Sequence, residues 1–309
     1  MSALATLLNP KSYLRWAERQ LARLVSVFVP NYRGIHCHPP GHFYSPLLDL
    51  QNLPPNANEV EHDGVECWEF IDLRGDAQQT YYQDLIDRFP MLDFPRSKMD
   101  GYRYYWDNKY YVFSDAFTLS GVIRKEKPKR IIEIGSGFSS AVMLDTLAHT
   151  GTTAELTFIE PFPDRLQSLL TPAELKSARL LTQPVQAVPL ALFEDLEAQD
   201  ILFIDSSHVA KIGSDVTYIL LRILPRLRPG VLVHFHDIFY PFSYPISWVS
   251  AGRAWNESLF LRAFLINNPT FEIVAFNSFA GSTFPEVFRG RVDQFLNDTG
   301  GSIWIRKRI

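Results

Sequence analysis

The chain has 309 residues, 46% hydrophobic and 14% aromatic, which suffices for one large core and a smaller accessory region. A formal charge of -4 gives no concentrated basic face, so nucleic acid is not an expected partner. The two cysteines, Cys37 and Cys67, form no Cys-x-x-Cys pair, which argues against a disulfide framework or a zinc site. No apolar run approaches the ~20 residues that cross a bilayer and no secretion signal is apparent, so we expect a cytoplasmic protein.

Residues 1–30 are predicted to form an amphipathic helix with a basic face. Its basic positions are Lys11, Arg15, Arg19 and Arg23, and its apolar positions are Leu14, Ala17, Leu21, Leu24 and Phe28. We expect this helix to pack on its own domain or on a second subunit of a homo-oligomer. A peripheral anchor at a membrane surface is the alternative.

Residues 31–110 are rich in Pro, Asn, Asp and Gly, which predicts an accessory or cap region of irregular connections around short elements. The histidine-rich run over residues 36–42 could bind a metal, although a solvated loop is the simpler interpretation. We place the domain boundary near residue 110, because the pattern changes there to alternating apolar runs and helical periods.

Residues 111–309 are predicted to form a doubly wound, Rossmann-like α/β domain. Seven short apolar runs are the predicted strands: Arg130–Ile134, Leu156–Glu160, Ala178–Leu181, Ile201–Asp205, Val231–Phe235, Phe271–Phe276 and Ser302–Lys307. Helical spacing lies between them, most clearly over residues 139–147, 209–223 and 259–265. Strands that alternate with helices predict a mostly parallel, seven-stranded sheet covered on both faces.

The connection after the first predicted strand, Gly135-Ser136-Gly137, is here called the glycine loop. It turns the chain tightly into a helix whose first amides can face a carboxylate or a phosphate. The second predicted strand ends at Glu160, 25 positions after Gly135, where a carboxylate can accept both ribose hydroxyls. Glycines used only for close packing are the alternative. A nicotinamide dehydrogenase is disfavoured because a dinucleotide fingerprint has Gly or Ala at the sixth loop position, which is Ser140 here.

Four segments occur in a set order: RIIEIGSGFSS at 130–140, FIEP at 158–161, DILFIDSSH at 200–208 and LRPGVLVHFHDIFYPFSYP at 227–245. In them the chain resembles class I S-adenosylmethionine-dependent methyltransferases, near the macrocin and other bacterial natural-product or sugar O-methyltransferases. The resemblance covers residues 110–308. It implies that S-adenosylmethionine is held by Glu133, Gly135, Ser136, Gly137, Glu160 and Asp205, with Val185 and Gln186 against its adenine.

Asp205 and Asp237 end the fourth and fifth predicted strands, which are neighbours in the class I strand order. Adjacent strands lie ~5 Å apart, so both carboxylates are expected at one mouth of the sheet. They could share a magnesium ion that lowers the pKa of an acceptor hydroxyl, as the resemblance also implies. The alternative is a pair of hydrogen-bonding acids that shape the pocket. His208 follows in the same loop and could act as a general base or have a purely structural role.

The sequence thus predicts transfer of a methyl group to a hydroxyl of a small molecule, such as a sugar or a secondary metabolite. The aromatic run from Phe239 to Tyr244 could form the wall that receives this acceptor. A redox enzyme on the same fold is the first alternative, either nicotinamide-dependent or with an iron ion at His234, His236 and Asp237. A cofactor-binding module without turnover is the second.

Overall fold

The computed structural model of the protein describes residues 42–47, 70–89 and 92–309. The chain divides into two compact units, Met1–Pro55 and Asn56–Ile309. In the first unit, residues 42–47 form turns and bends. The predicted amphipathic helix over residues 1–30 lies outside the described residues, as does most of the histidine-rich run.

A seven-stranded sheet forms the centre of the second unit. Its strands are β1 (Arg130–Ile134), β2 (Glu155–Ile159), β3 (Arg179–Leu181), β4 (Ile201–Ile204), β5 (Leu232–Phe235), β6 (Phe271–Phe276) and β7 (Ile303–Lys307). They are ordered β3-β2-β1-β4-β5-β7-β6, and β7 runs antiparallel to both of its neighbours. The predicted doubly wound, mostly parallel sheet is therefore confirmed. Predicted and observed strand ends differ by at most one residue, because these apolar runs are buried in the sheet.

Helices cover the sheet. They are α1 (Gly75–Arg88), α2 (Phe113–Glu126), α3 (Phe138–Thr150), α4 (Asp164–Leu169), α5 (Pro172–Ser177), α6 (Ala191–Glu194), α7 (Asp215–Tyr218), α8 (Ile246–Ser250), α9 (Glu257–Leu265), α10 (Asn277–Thr283) and α11 (Gln294–Asn297). A π-helical turn, Ile219–Ile223, continues α7. Across the described ranges, none of the helices has the length and apolarity needed to cross a membrane.

Two helical elements differ from the sequence prediction. The helix predicted from residue 209 begins only at Asp215, because the Ser214 side chain caps it by accepting a hydrogen bond from the amide of Thr217. Helix α1 lies in the region predicted to be irregular, and its Tyr82, Leu85 and Ile86 are buried. These residues recur at helical spacing within a mostly polar segment. Helix α1 packs against α2 and β6 within the unit that begins at Asn56, while the boundary near residue 110 stays a prediction.

Candidate active site

The carboxyl ends of β1, β2, β4 and β5 meet at one edge of the sheet. Register hydrogen bonds continue past the strands: the amide of Gly135 donates to the carbonyl of Ile159 at 3.0 Å, and the amide of Asp205 donates to that of Ile134 at 2.8 Å. Because β1 lies between β2 and β4, the glycine loop is flanked by the residues that follow both neighbouring strands. This is the edge at which open α/β sheets bind ligands.

Gly135 is required by the geometry of this edge. Its φ of +80° lies in the left-handed region, and a Cβ atom at this position would lie 1.8 Å from the carbonyl oxygen of Asp205. No side chain can be accommodated there without moving β1 or β4. The glycine loop therefore turns where it does because its first residue lacks a side chain.

The Glu160 carboxylate is fixed by two backbone amides. One oxygen accepts from the amide of Ser136 at 3.0 Å, and the other accepts from the amide of Phe162 at 2.8 Å. Each carboxylate oxygen has a second lone pair, so Glu160 can still accept hydrogen bonds from a ligand. Glu160 thus both orients the glycine loop and presents an acid beside it.

Glu133 lies beneath the loop instead of facing the cavity. Its carboxyl group is fully buried and accepts hydrogen bonds from the hydroxyls of Ser139, at 2.5 Å, and Ser140. Burial raises the pKa of Glu133 to about 8, although these hydroxyl donors favour the ionised form. Ser140 also accepts from the amide of Gly137 at 3.0 Å. The loop position where a dinucleotide-binding fold needs a small residue is therefore filled by a hydrogen-bonding side chain.

Four charged side chains, Asp205, His208, Asp237 and Glu257, form what we call the His208 cluster. His208 Nδ1 lies 2.8 Å from a carboxylate oxygen of Glu257. Its Nε2 lies 3.4 Å from Asp205 Oδ1 and 3.6 Å from Asp237 Oδ2. The structure thus brings together the three residues predicted to be catalytic and adds Glu257, which the sequence analysis did not single out.

Glu257 is the first residue of α9 and is almost fully buried. Its second oxygen accepts from the hydroxyl of Ser206 at 2.9 Å, and its backbone amide donates to the carbonyl of His208 at 3.1 Å. An acid in the first turn of a helix ordinarily indicates an interaction with the helix dipole, so this signal alone could not identify a site residue. Here the same carboxylate fixes the ring of His208.

The protonation of His208 follows from these contacts. Burial by itself lowers the pKa of an imidazole, but the hydrogen bonds to Asp205 and Glu257 outweigh it and raise the pKa of His208 to about 10. Burial would likewise raise the pKa of Asp205, yet the hydrogen bond from His208 and the nearby His236 lower it. At neutral pH the cluster therefore contains an imidazolium at His208 beside the ionised carboxylate of Asp205.

Two residues of the cluster have left-handed backbone conformations. His208 has φ of +58° and Asp237 has φ of +56°. Such values are uncommon outside glycine, and when the surrounding structure enforces them they concentrate at functional sites. Asp237 is the second residue after β5, so this conformation determines the direction in which its carboxylate leaves the edge of the sheet.

One cavity of about 740 Å³ connects the two halves of this edge. Its size is within the range of roughly 300–1,000 Å³ that is usual for small-molecule sites. Gly135, Ser136 and Glu160 line one part of it, and Asp205, His208 and Asp237 line another. A larger cavity of about 1,070 Å³ lies at the amino ends of the strands, where Arg130, Glu155 and Arg179 line it, and it contains none of the predicted site residues.

An aromatic wall closes the side of the cavity next to the His208 cluster. It consists of Phe239, Trp248 and Trp255. The ring of Trp255 lies 4.4 Å from that of His208, and Phe239 packs edge-on against Trp248 at 5.4 Å. The prediction placed such a wall at Phe239 to Tyr244. Phe239 does line the cavity, but Trp248 and Trp255 were not among the residues predicted to form the wall.

Four of the predicted cofactor-binding residues do not line this cavity, namely Glu133, Gly137, Val185 and Gln186, and neither does His234. Val185 is buried, and Gln186 donates to the carbonyl of Gly213 at 2.8 Å. His234 is enclosed in the sheet, where its ring stacks on Phe203 at 3.9 Å. Because His234 is separated from the cavity, the iron site drawn from His234, His236 and Asp237 is not assembled.

The same geometry bears on the predicted magnesium ion. Within residues 42–47, 70–89 and 92–309, no group of three or more His, Cys, Asp and Glu side chains is arranged to hold a metal ion. Asp205 and Asp237 are the predicted ligands, and His208 Nε2 lies within 3.6 Å of both carboxylates. Magnesium prefers a set of oxygen ligands, whereas here a nitrogen donor lies against the two acids. The residues as arranged do not fit the predicted ion.

Comparison with known proteins gives two sequence relationships. Residues 132–238 match a family model described as a methyltransferase domain. The chain is also 32% identical to an uncharacterized protein of Archaeoglobus fulgidus over 164 residues, which are 52% of this chain and 73% of that protein.

Among solved structures, the chain is similar to the methyltransferase PaMTH1 of Podospora anserina, crystallised with SAH. The identity is 18%, with 84% of this chain and 99% of that one covered and a TM-score of 0.41. A putative O-methyltransferase from Klebsiella pneumoniae is 15% identical, with 81% of this chain and 96% of that one covered and a TM-score of 0.40.

Proposed function

Because the chain belongs to the same family as the Archaeoglobus fulgidus protein and carries a methyltransferase domain at residues 132–238, we propose that it transfers a methyl group from S-adenosylmethionine to a hydroxyl of a small molecule. One observation carries this proposal: a single cavity joins the glycine loop and Glu160 to the His208 cluster. A methyltransferase needs this arrangement, because the donor and the acceptor must lie next to each other for an in-line displacement.

The residues beside the glycine loop suit S-adenosylmethionine. Glu160 lines the cavity, and each of its carboxylate oxygens has a second lone pair that can accept a hydrogen bond from a ribose hydroxyl. Ser136 lines the cavity beside Glu160, and its hydroxyl oxygen is buried. The first amides of α3 have no partner within the helix, so they can bind the carboxylate of the methionine moiety.

The adenine prediction receives separate support. The side-chain oxygen of Gln186 is buried without a hydrogen-bond partner in the described part of the chain. An unsatisfied buried acceptor is costly unless a ligand or water satisfies it. The adenine amino group is a donor of the required kind, so we retain Gln186, with Val185 beside it, as the adenine contact, which requires the adenine to extend beyond the cavity that Glu160 lines.

When bound, S-adenosylmethionine supplies a methyl carbon on a positively charged sulfur. The acceptor oxygen bonds to this carbon as the carbon–sulfur bond breaks, and the hydroxyl proton must leave the oxygen. We assign that proton to Asp237, which lines the cavity. His208 is already protonated near neutral pH, so we assign it the task of holding the carboxylates of Asp205 and Asp237 in position.

The magnesium ion predicted at Asp205 and Asp237 is an alternative that experiment can decide. We infer that the reaction proceeds without it, since the side chain of His208 lies against both carboxylates. Methyl transfer in EDTA should then equal transfer with added magnesium. Strict dependence on magnesium would contradict this inference and would support the original prediction.

Calorimetry tests the cofactor. We expect S-adenosylhomocysteine to bind at one site per chain and NADH not to bind. Glu160→Ala should abolish S-adenosylhomocysteine binding, because it removes the ribose contact and releases the amide of Ser136. Glu155→Ala is the matched control, since the Glu155 side chain is 85% exposed. Binding of NADH, or normal binding of S-adenosylhomocysteine by Glu160→Ala, would overturn the proposal.

A further inference from the structure

The guanidinium of Arg253 lies in a corner formed by two indole rings. Its central carbon is 4.1 Å from the ring centre of Trp248 and 4.9 Å from that of Trp255. The two rings are 5.5 Å apart and nearly perpendicular, at 85°. Stacking on both rings restricts the guanidinium, although the residue itself is exposed to solvent. We call Arg253 with these two tryptophans the tryptophan corner.

This guanidinium has no anionic partner in the described part of the chain. The hydrogen bond recorded for Arg253 runs from its backbone amide to the carbonyl of Trp248, at 3.1 Å. Some other arginines of the protein are paired with acids, since Arg103 contacts Asp145 at 2.5 Å and Arg130 contacts Asp200 at 3.5 Å. Arg253 is therefore positioned by aromatic contacts alone, and its N–H donors remain available.

The tryptophan corner faces the acceptor side of the cavity. Trp255 contacts the ring of His208 at 4.4 Å, and Trp248 contacts Phe239 at 5.4 Å. Arg165, another cation that lines the cavity, stacks on Tyr110 at 4.1 Å and lies against Gly137 of the glycine loop. The two guanidinium groups thus belong to different halves of the cavity, with Arg253 beside the proposed catalytic cluster.

We propose that Arg253 binds an anionic group, a carboxylate or a phosphate, on a flat hydroxylated acceptor. This inference rests on the proposed methyltransferase function and names the substrate class of the same site. The aromatic wall offers a surface for a planar ring, and the guanidinium offers a fork of donors that matches a pair of anionic oxygens. Preorganisation by the two indoles lowers the entropy cost of binding that group.

Calorimetry on protein saturated with S-adenosylhomocysteine tests the proposal with three probes: 4-hydroxybenzoate, 4-hydroxyphenyl phosphate and phenol. We expect at least one of the charged probes to bind about tenfold or more tightly than phenol. The comparison of the two charged probes then distinguishes a carboxylate from a phosphate. Arg253→Gln should abolish the preference, while the affinities for phenol and for S-adenosylhomocysteine stay unchanged. Arg253→Lys should retain part of it, because a lysine keeps the charge but not the fork.

Arg228→Gln is the control, because Arg228 pairs with Glu197 and lies outside this cavity. It should bind all three probes as the unmodified protein does. Equal affinities for charged and neutral probes, a preference that persists in Arg253→Gln, or no binding of any probe would overturn the inference. If S-adenosylhomocysteine itself fails to bind, the proposed function fails instead, so the two failures can be distinguished.

Discussion

The glycine loop and the His208 cluster share one cavity, but they are built in opposite ways. The loop presents backbone amides, positioned by Gly135 and by the acceptor oxygens of Glu160. The cluster presents side chains from the connections that follow β4 and β5 and from the first residue of α9, and His208 lies at its centre. The glycine loop depends on the absence of a side chain at Gly135, which lets the backbone turn. The His208 cluster depends instead on the charges of its side chains. The two halves should therefore respond to different kinds of substitution.

The largest effect is expected from Gly135→Ala. The added Cβ would lie 1.8 Å from the carbonyl oxygen of Asp205, so β1 and β4 must separate and the glycine loop must move. We expect complete loss of S-adenosylhomocysteine binding in calorimetry and a lower melting temperature.

Gly151→Ala separates this steric effect from backbone strain. Gly151 also has a positive φ, +67°, but no atom lies within 4 Å of the position that an added Cβ would take, so only a cost of about 1–2 kcal/mol is expected. The control should bind S-adenosylhomocysteine normally. Equal behaviour of the two variants would show that the close approach of Gly135 to Asp205 does not shape the site.

Asp237→Asn should give the next largest effect, now in the half made of side chains. Asparagine has nearly the same shape and tolerates the left-handed backbone at φ of +56°, so the fold is preserved. Without the carboxylate as proton acceptor, we expect kcat to fall by roughly 100-fold or more, with unchanged affinity for S-adenosylhomocysteine. Single-turnover transfer of labelled methyl to the best acceptor measures this. Full activity would remove Asp237 from the chemistry.

Sequence reasoning located the two halves unequally, and their construction explains why. Gly135 and Glu160 lie at the ends of buried strands, and runs buried on both faces are easy to recognise, so both elements were placed within one residue. Arg253 and Trp255 line the cavity, and Glu257 contacts His208, from a stretch of chain about 50 residues beyond His208. No local pattern marks them, because their role depends on how that connection folds back over the strand ends.

Glu257→Gln is expected to have a smaller effect than Asp237→Asn, because Glu257 acts through His208. The variant keeps the size of the side chain but removes a negative charge 2.8 Å from Nδ1. The pKa of His208 should fall, and kcat should decrease by roughly tenfold with no change in S-adenosylhomocysteine affinity. Titration of the His208 ring by NMR checks the first expectation. An unchanged pKa of His208 would show that Glu257 serves the fold only.

The smallest effect on the reaction is expected from Glu133→Gln, which tests the support beneath the glycine loop. Folding raises the pKa of Glu133 from 4.5 to about 8, so the folded protein binds the proton more tightly than the unfolded chain does. The resulting contribution to the free energy of unfolding is fully present below about pH 4.5 and is lost as the pH rises through 8. One proton corresponds to a slope of at most about 1.4 kcal/mol per pH unit.

Glutamine resembles the protonated acid, so Glu133→Gln should bind S-adenosylhomocysteine normally at acidic pH and lose less stability than the unmodified protein between about pH 5 and pH 8. Urea unfolding at several pH values measures the difference, with Glu155→Gln as the exposed control. If the two variants have parallel pH profiles, Glu133 is ionised in the folded protein. The hydroxyls of Ser139 and Ser140 would then stabilise a buried carboxylate at Glu133, and an ionised group would lie beneath the glycine loop.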